Sequence, residues 1–420
     1  MRITRPLEQA MRGSVAVPVI IRVKQEYLRE LRNHLLFDFK ITGLSIPRFN
    51  MFAAVLPDEA IDQIMQLNFV ETVYLDREVR IPEIKGAEVT FEPIRRLLFR
   101  AREMRARKAV TIRKPEWIPT SESRKMLEAD VAQREGYEGR DVKIAVVDTD
   151  SSRRYAQHIQ LRGRVIGYSV IPEKSDKNGH GGHCSTTALG GEYISRLLGL
   201  KAWGVAPKAS GLGVKVLRGA TGMGSTSDVI KGVEYAVQWG AQVINLSLGG
   251  SPTADPKDDP FYPVFEEIKD KLIVCAAIGN DGPNPETTNA PGSLPNVIAV
   301  GACDIKGFVC DFSSRGSTPD GRIKPDVIAP GKEIWSGITI DTYLDYVSDY
   351  LGNAFTAISG TSMATPHASG LLALAVELFE KELPEEKLTT DLVSRVCEMY
   401  GNSKSNVSGY GLIKWSWFKR

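Results

Sequence analysis

From about Lys125 onward the chain switches repeatedly between short apolar runs and helical stretches, and this alternation narrows the possible folds more than any other feature. The runs DVKIAVVD (141–148), RVIGYSVI, SGLGVKVL, QVINLSLG, LIVCAAIGN and NVIAVGAC are short, rich in β-branched residues and nearly unbroken in hydrophobicity. Strands that read this way are buried on both faces. Between them, GHCSTTALGGEYISRLL, SDVIKGVEYAVQWG and FEEIKDK read as helices. Strands alternating with helices imply an α/β fold, a mainly parallel sheet with helices on both faces. In such sheets, functional groups gather at the carboxyl ends of the strands.

The first 82 residues follow a different order. VPVIIRV (17–23) reads as a strand, and KQEYLRELRNHLL spaces Tyr27, Leu28, Leu31 and Leu35 as a helix does. DFKITGLSI and RFNMFAAVL form a hairpin around Pro47–Arg48, PDEAIDQIMQLN a second helix and FVETVYLD a closing strand. The order βαββαβ implies a small ferredoxin-like α+β domain over 1–82. Residues 83–120 then form a linker, whose basic core FEPIRRLLFRAREMRARKAV reads as a solvated helix and an easy target for proteolysis. The α/β domain takes 121–420.

Composition excludes several classes. Hydrophobic residues make up 42% and charged residues 25%, as in a soluble globular protein. A net charge of +2 over 420 residues gives no reason to expect nucleic acid or an anionic membrane as partner. No apolar run approaches the roughly 20 residues that span a bilayer. The start, MRITRPLEQAMRG, lacks the apolar core of a secretory leader, so an intracellular setting is the expectation. Cys184, Cys275, Cys303, Cys310 and Cys397 show neither CxxC spacing nor a dense framework, and the disulfide state of Cys303 and Cys310 stays open. His180 and His183 have the i, i+3 spacing of a metal pair, but no partner completes a metal site.

The stretch SGTSMATPHASG (359–370) places Ser362 among small residues where a helix should start. Free N–H groups and the helix dipole favour developing negative charge there. A serine hydroxyl is a weak nucleophile until a base takes its proton. His180, in NGHGGHC, is the natural base near neutral pH. Asp148, where VKIAVV ends, can hold the imidazole in one tautomer and stabilise its cation. Asn280, in AAIGNDG, can donate to the oxyanion of a tetrahedral intermediate. Singly, these residues read as a helix cap, a core histidine, a strand-end cap and a turn asparagine. Together, at strand ends and helix starts of one sheet, they make a serine hydrolase.

The stretches IAVVDT, GHGGHC, GVAPKASGLGVKVL, VINLSLGG, AAIGNDG, KPDVIAPG, SGTSMATPHASG and GYGLI run in that order from about 140 to 413. They resemble the subtilisin family of serine proteases. The order Asp, His, Ser separates them from α/β-hydrolases, whose triad begins with serine. The resemblance implies Ser362 as nucleophile, His180 as general base and Asp148 as orienting acid. Asn280 and the Ser362 backbone N–H would form the oxyanion hole. Ser247, Leu248 and Gly249 would pair with the substrate backbone, with Gly222, Met223 and Gly224 on its other side. Asp281 would rim the primary specificity pocket, where a carboxylate favours Lys or Arg. Cys184 would be a buried thiol beside the triad.

The resemblance further implies that 1–82 is a propeptide that inhibits the enzyme, its tail lying in the groove as a strand, with a cut between Pro82 and Ser121. Polypeptide substrates, a monomer and catalysis without a cofactor are expected, and export is the alternative setting. Three departures stand out. Asp150 takes a place usually filled by glycine, where a positive φ would strain it and a contact with Arg153 or Arg154 would compensate. Gly182 replaces a threonine. The loop GGEYISRLLGLKAW, which in many relatives binds calcium, offers only Glu192, so that calcium site is not carried over. A catalytically dead peptide binder and an esterase are the competing readings. The complete triad opposes the first, and the SLG edge opposes the second.

Overall fold

The computed structural model describes residues 2–84 apart from 13, and residues 117–419 apart from 151–152, 196–198, 340–341, 343, 345–346 and 349–353. The basic stretch 91–110 lies outside the described residues. The α/β region is built on a seven-stranded parallel sheet. Its order is Val327–Pro330, Ile298–Cys303, Ile273–Ala277, Val243–Leu246, Lys143–Asp148, Ser210–Lys215 and Val165–Ser169. The chain begins near the middle, in Lys143–Asp148, builds one side and then crosses to the other. The carboxyl end of that first strand is therefore where the strand order reverses, the place where α/β sheets keep their sites.

Side-chain alternation explains the layers. Ile144 and Val146 point to one face, and Ala145 and Val147 to the other. The first face packs on the helices His180–Leu189 and Thr361–Glu382, through Leu189, Met363, Ala364 and Leu371. The second packs on Thr226–Trp239 and Phe261–Ile268, through Val229, Ile230, Val233 and Phe265. A smaller sheet carries the strand Ala354–Ile358, which runs antiparallel to Ile334–Ile338 and feeds directly into the Thr361–Glu382 helix.

The N-terminal unit has its own core of Val17, Val19, Ile21, Leu31, Leu35, Phe52, Ile61 and Val73. Its sheet runs Arg2–Ile3, Val70–Leu75, Val17–Val23, Met51–Leu56, Leu44–Ile46. The last four give the interleaved order of a split βαβ unit. The parallel edge strand Arg2–Ile3 and the helix Arg5–Met11 are additions. The other sheet face presents Ile20, Met51, Ala53 and Tyr74 to the Thr226–Trp239 layer, so both units share one apolar cluster. Polar contacts flank it. Asp76 accepts from the Ser227 N–H and hydroxyl at 3.0 and 2.6 Å, at the start of the Thr226–Trp239 helix. Arg77 reaches the buried Asp259 carboxylate, and the Arg48 N–H donates to the buried Glu234.

One sequence expectation is revised. The helix expected over GHCSTTALGGEYISRLL ends at Leu189, and Tyr193–Ser195 pairs with Leu200–Ala202 as a hairpin. Gly190 and Gly191 interrupt the helical run, and Tyr193 stacks on Phe355 of the small sheet. Glu192 is engaged by Lys201 at 2.6 Å.

Candidate active site

Asp148 is the last residue of its strand and is fully buried. One of its oxygens accepts from the Thr149 N–H at 2.7 Å, which fixes the carboxylate. His180 opens the His180–Leu189 helix after Gly179, whose φ of 91° only glycine adopts readily. Its Nδ1 lies 2.9 and 3.0 Å from the two Asp148 oxygens. This pairing assigns the proton to Nδ1 and leaves Nε2 as the basic lone pair. Burial alone pulls the imidazolium pKa down. The neighbouring Asp148 carboxylate outweighs it, and the net position is well above the ordinary 6.5. His183 is a different histidine. Its Nε2 donates to the Ile334 carbonyl at 2.9 Å, and burial pushes its pKa down to about 3, so it stays neutral.

Ser362 is the second residue of its helix and is buried. Pro366 follows four residues later and has no N–H, so the Ser362 carbonyl loses its helical donor. The Ser247 hydroxyl takes that place at 3.0 Å, with the Cys184 thiol at 3.4 Å. The Ser247 hydroxyl is itself held by the Asn245 amide at 2.9 Å. The proline therefore ties the nucleophile's backbone to the neighbouring strand end. The Ser362 hydroxyl donates to the Ser247 carbonyl at 3.2 Å, while His180 Nε2, fully buried, has no hydrogen-bond partner among the described residues.

Asn280 connects the two halves of the molecule. Its side-chain carbonyl accepts from the Thr361 N–H and hydroxyl, both at 2.9 Å, which orients the amide. The amide then donates to the backbone carbonyl of Glu83 at 2.8 Å. Residues Glu78–Arg80 run antiparallel to Met223–Ser225 on one side, and Arg80 exchanges both backbone hydrogen bonds with Gly249 on the other, at 2.9 and 2.8 Å. The Ile81 N–H donates to Gly222 at 3.0 Å. Gly222, Met223, Gly224 and Gly249 thus meet an extended segment through their backbones, whereas the Ser247 carbonyl accepts from the Ser362 hydroxyl. Leu248 contributes no exposed side chain, because it is buried in the core. The Asp281 side chain is exposed, accepts from Asn289 at 2.6 Å, and lines with Asn289, Pro82 and Glu83 a cavity of about 300 Å³.

The departures at Asp150 and Gly182 fit each other. Asp150 is buried and accepts from the Thr339 hydroxyl. The side chains of Arg153 and Arg154 lie outside the described residues. A Cβ at Gly181 would come within 2.9 Å of the Asp150 N, and one at Gly182 within 3.0 Å of the Thr339 N. Cys184 Sγ lies 3.8 Å from His180 Nδ1, and burial raises its pKa, so it sits beside the triad as a thiol. Asp148, His180 and Cys184 place one donor atom each within 4.8 Å of one another, but His180 Nδ1 already faces the carboxylate. Sequence reasoning missed Thr361, Asn289, the carbonyl of Ser247 and the buried Lys215. The Lys215 ammonium donates to the carbonyls of Thr149 and Leu217 at 2.7 and 2.9 Å and so holds the end of the Asp148 strand.

This arrangement supplies a hydroxyl at a helix start, an acid-oriented imidazole with a free lone pair, an amide aimed at a carbonyl and two edges that clasp an extended chain. The sequence that carries it is similar to that of known proteins. Residues 139–411 match the profile described as the Subtilase family. Serine protease AprX of Bacillus subtilis (strain 168) is 34% identical over 304 residues, covering 66% of this chain and 65% of AprX. An intracellular serine protease of Paenibacillus polymyxa is 32% identical over 292 residues, covering 66% and 79%. Subtilisin DY of Bacillus licheniformis is 33% identical over 259 residues, covering 60% and 83%. The matched region starts after the N-terminal unit and holds Asp148, His180, Asn280 and Ser362 in family order, and the chain belongs to the subtilase family.

Proposed function

We propose that the chain is a serine endopeptidase made as a precursor that cuts itself once, after Glu83. The observation that carries this reading is the Glu83 carbonyl at the Asn280 amide, reached by a strand clasped between Gly249 and Met223–Ser225. In the reaction, Ser362 Oγ attacks the Glu83 carbonyl carbon and His180 Nε2 takes its proton. The oxyanion forms against the Asn280 amide, already in place. His180 then gives the proton to the Ile84 nitrogen, the C–N bond breaks, and an acyl-enzyme remains. Water, deprotonated by the same imidazole, hydrolyses that ester and frees Ser362. No cofactor enters these steps, as holds for the family, and calcium is not assigned.

On this reading residues 1–82 act as the inhibitor, 83–120 as the linker and 121–420 as the enzyme. The tail stays in the groove after the cut, because the shared apolar cluster and the Arg77–Asp259 pair hold its domain on the enzyme. Other polypeptides bind the same way, as an added strand whose backbone does most of the recognition. The enzyme acts as a monomer. The intracellular serine protease among the relatives and the five buried free thiols favour an intracellular setting. A fluorophosphonate probe and a casein assay test the activity. The processed protein takes up one probe and hydrolyses casein, and Ser362→Ala loses both; labelling without casein hydrolysis would point to a non-peptidase hydrolase.

A further inference from the structure

Lys215 is a buried charge that the reaction steps do not use. It ends the strand Ser210–Lys215, directly opposite Asp148, and its side chain is fully buried. An ammonium in that place costs far more than an apolar side chain unless its donors are taken up. An ammonium has three N–H donors. Here one goes to the Thr149 carbonyl at 2.7 Å and one to the Leu217 carbonyl at 2.9 Å, and the Glu173 carboxylate lies 4.0 Å away. These partners belong to three different parts of the site. Thr149 joins the acid to the base: its N–H donates to Asp148 at 2.7 Å, and its hydroxyl accepts at 3.0 Å from the N–H of Gly181, next to His180. Leu217 is the root of the turn that carries the substrate edge. The Arg218 N–H closes that turn on the Met223 carbonyl at 2.9 Å, and Met223–Ser225 pairs with Glu78–Arg80. Glu173 stands before the loop that leads to His180, and it accepts from the Gly219 N–H of the same turn at 3.0 Å.

Resting on the endopeptidase reading above, we propose that Lys215 is a positioning residue that couples the substrate edge to the acid–base pair. A chain that pairs with Met223–Ser225 fixes the turn behind it. Through the Leu217 carbonyl, the ammonium and the Thr149 carbonyl, that order reaches the backbone that holds Asp148 against His180. Lys215 touches neither the clasped segment nor the reacting atoms. The serine proton still passes to His180 and on to the leaving amine, and the bond broken is unchanged. What the ammonium adds is that binding far from the scissile bond is realised as rate, and not only as affinity.

The test compares two p-nitroanilide substrates on the processed enzyme. One carries acetylglutamate before the anilide, and the other carries the sequence of Glu78–Glu83, long enough to reach Met223–Ser225. The parent should show a kcat at least about tenfold higher on the longer substrate, the scale of one charge-assisted hydrogen bond. Lys215→Met keeps an unbranched side chain and removes the donors. It should still bind the longer substrate more tightly, yet turn both over with the same kcat. Glu173→Ala guards against a Lys215 variant that does not fold or process, since the Glu173 side chain is 33% exposed. It should shrink the gain in kcat with length without abolishing it, and it decides alone if Lys215→Met cannot be assayed. If the parent hydrolyses neither substrate, the endopeptidase reading fails and takes the proposal with it. If the parent hydrolyses both, an equal loss of kcat on the two substrates, or a gain with length that stays at the parent value, overturns the coupling alone.

Discussion

Replacing Arg77 by alanine should release the N-terminal unit from the enzyme. The Arg77 guanidinium donates to the Asp259 carboxylate and to the Ser251 carbonyl, both across the boundary between the units. The Asp259 side chain is 0% exposed and that of Arg77 18% exposed. Removing one partner of a buried pair leaves the other charge desolvated, at a cost of about 3–5 kcal/mol. Here the low end applies, because the Phe261 N–H also bonds Asp259 at 3.0 Å and Arg77 keeps some contact with water. About 3 kcal/mol is a loss of affinity on the order of 10²-fold. The assay is inhibition of the processed enzyme by a separate 1–83 polypeptide, measured with a peptide substrate. Arg48→Ala is the comparison, since its charge meets Glu267 at 3.8 Å with both side chains about a third exposed. Such a pair is worth at most about 1 kcal/mol, so inhibition should weaken less than about fivefold. Equal effects of the two variants, or none from Arg77→Ala, would refute the view that this buried pair anchors the inhibitor.

Three further outcomes follow from the site. Asp148→Asn should lower turnover by about 10⁴ with the fold intact, by favouring the wrong histidine tautomer, while Asp150→Gly, which removes the carboxylate that the Thr339 hydroxyl bonds, should keep most activity and lower the thermal midpoint. Calorimetry and kinetics on the two variants check this, and a dead Asp150→Gly beside an active Asp148→Asn reverses the assignment of the acid. For pH, the working form of His180 is neutral, and Asp148 holds its pKa well above 6.5. Activity should therefore rise with pH along a limb lying above 6.5, and a kcat/KM profile with that limb at or below 6.5 is incompatible with the pairing. Asp281→Asn should reduce the preference for Lys and Arg over apolar residues several-fold at low salt, since the carboxylate is exposed and screened; an unchanged ratio in a peptide series rejects its role in specificity.

The parallel sheet and the four chemical residues were legible because their signals are local. IAVV, VINL and IVCAA are each apolar enough to mark a buried strand, and each site residue stands at the end of such a run or at a helix start. What escaped depends on partners far away in sequence. Arg5–Met11 buries only Leu7 and shows little periodicity, and Arg2 finds Asp258 256 residues later. EYISRLL spaces its apolar residues as a helix does, but Tyr193–Ser195, after two glycines and with Tyr193 stacked on Phe355, is a strand paired with Leu200–Ala202. Pro366 reads as an early-helix proline, yet its consequence falls on Ser247, 115 residues from Ser362. Asp150 looks like a strained substitution in sequence, but its backbone φ is not positive, and its carboxylate accepts from the Thr339 hydroxyl while Gly181 leaves room beside its backbone.

The central claim is that Ser362 cuts this chain after Glu83. Intact mass and N-terminal sequencing of the purified protein test it most directly, with Ser362→Ala alongside. The account predicts an enzyme beginning at Ile84 from the parent and a single uncut chain from the variant. A parent N-terminus at any other position, or a Ser362→Ala chain that matures alone, contradicts it.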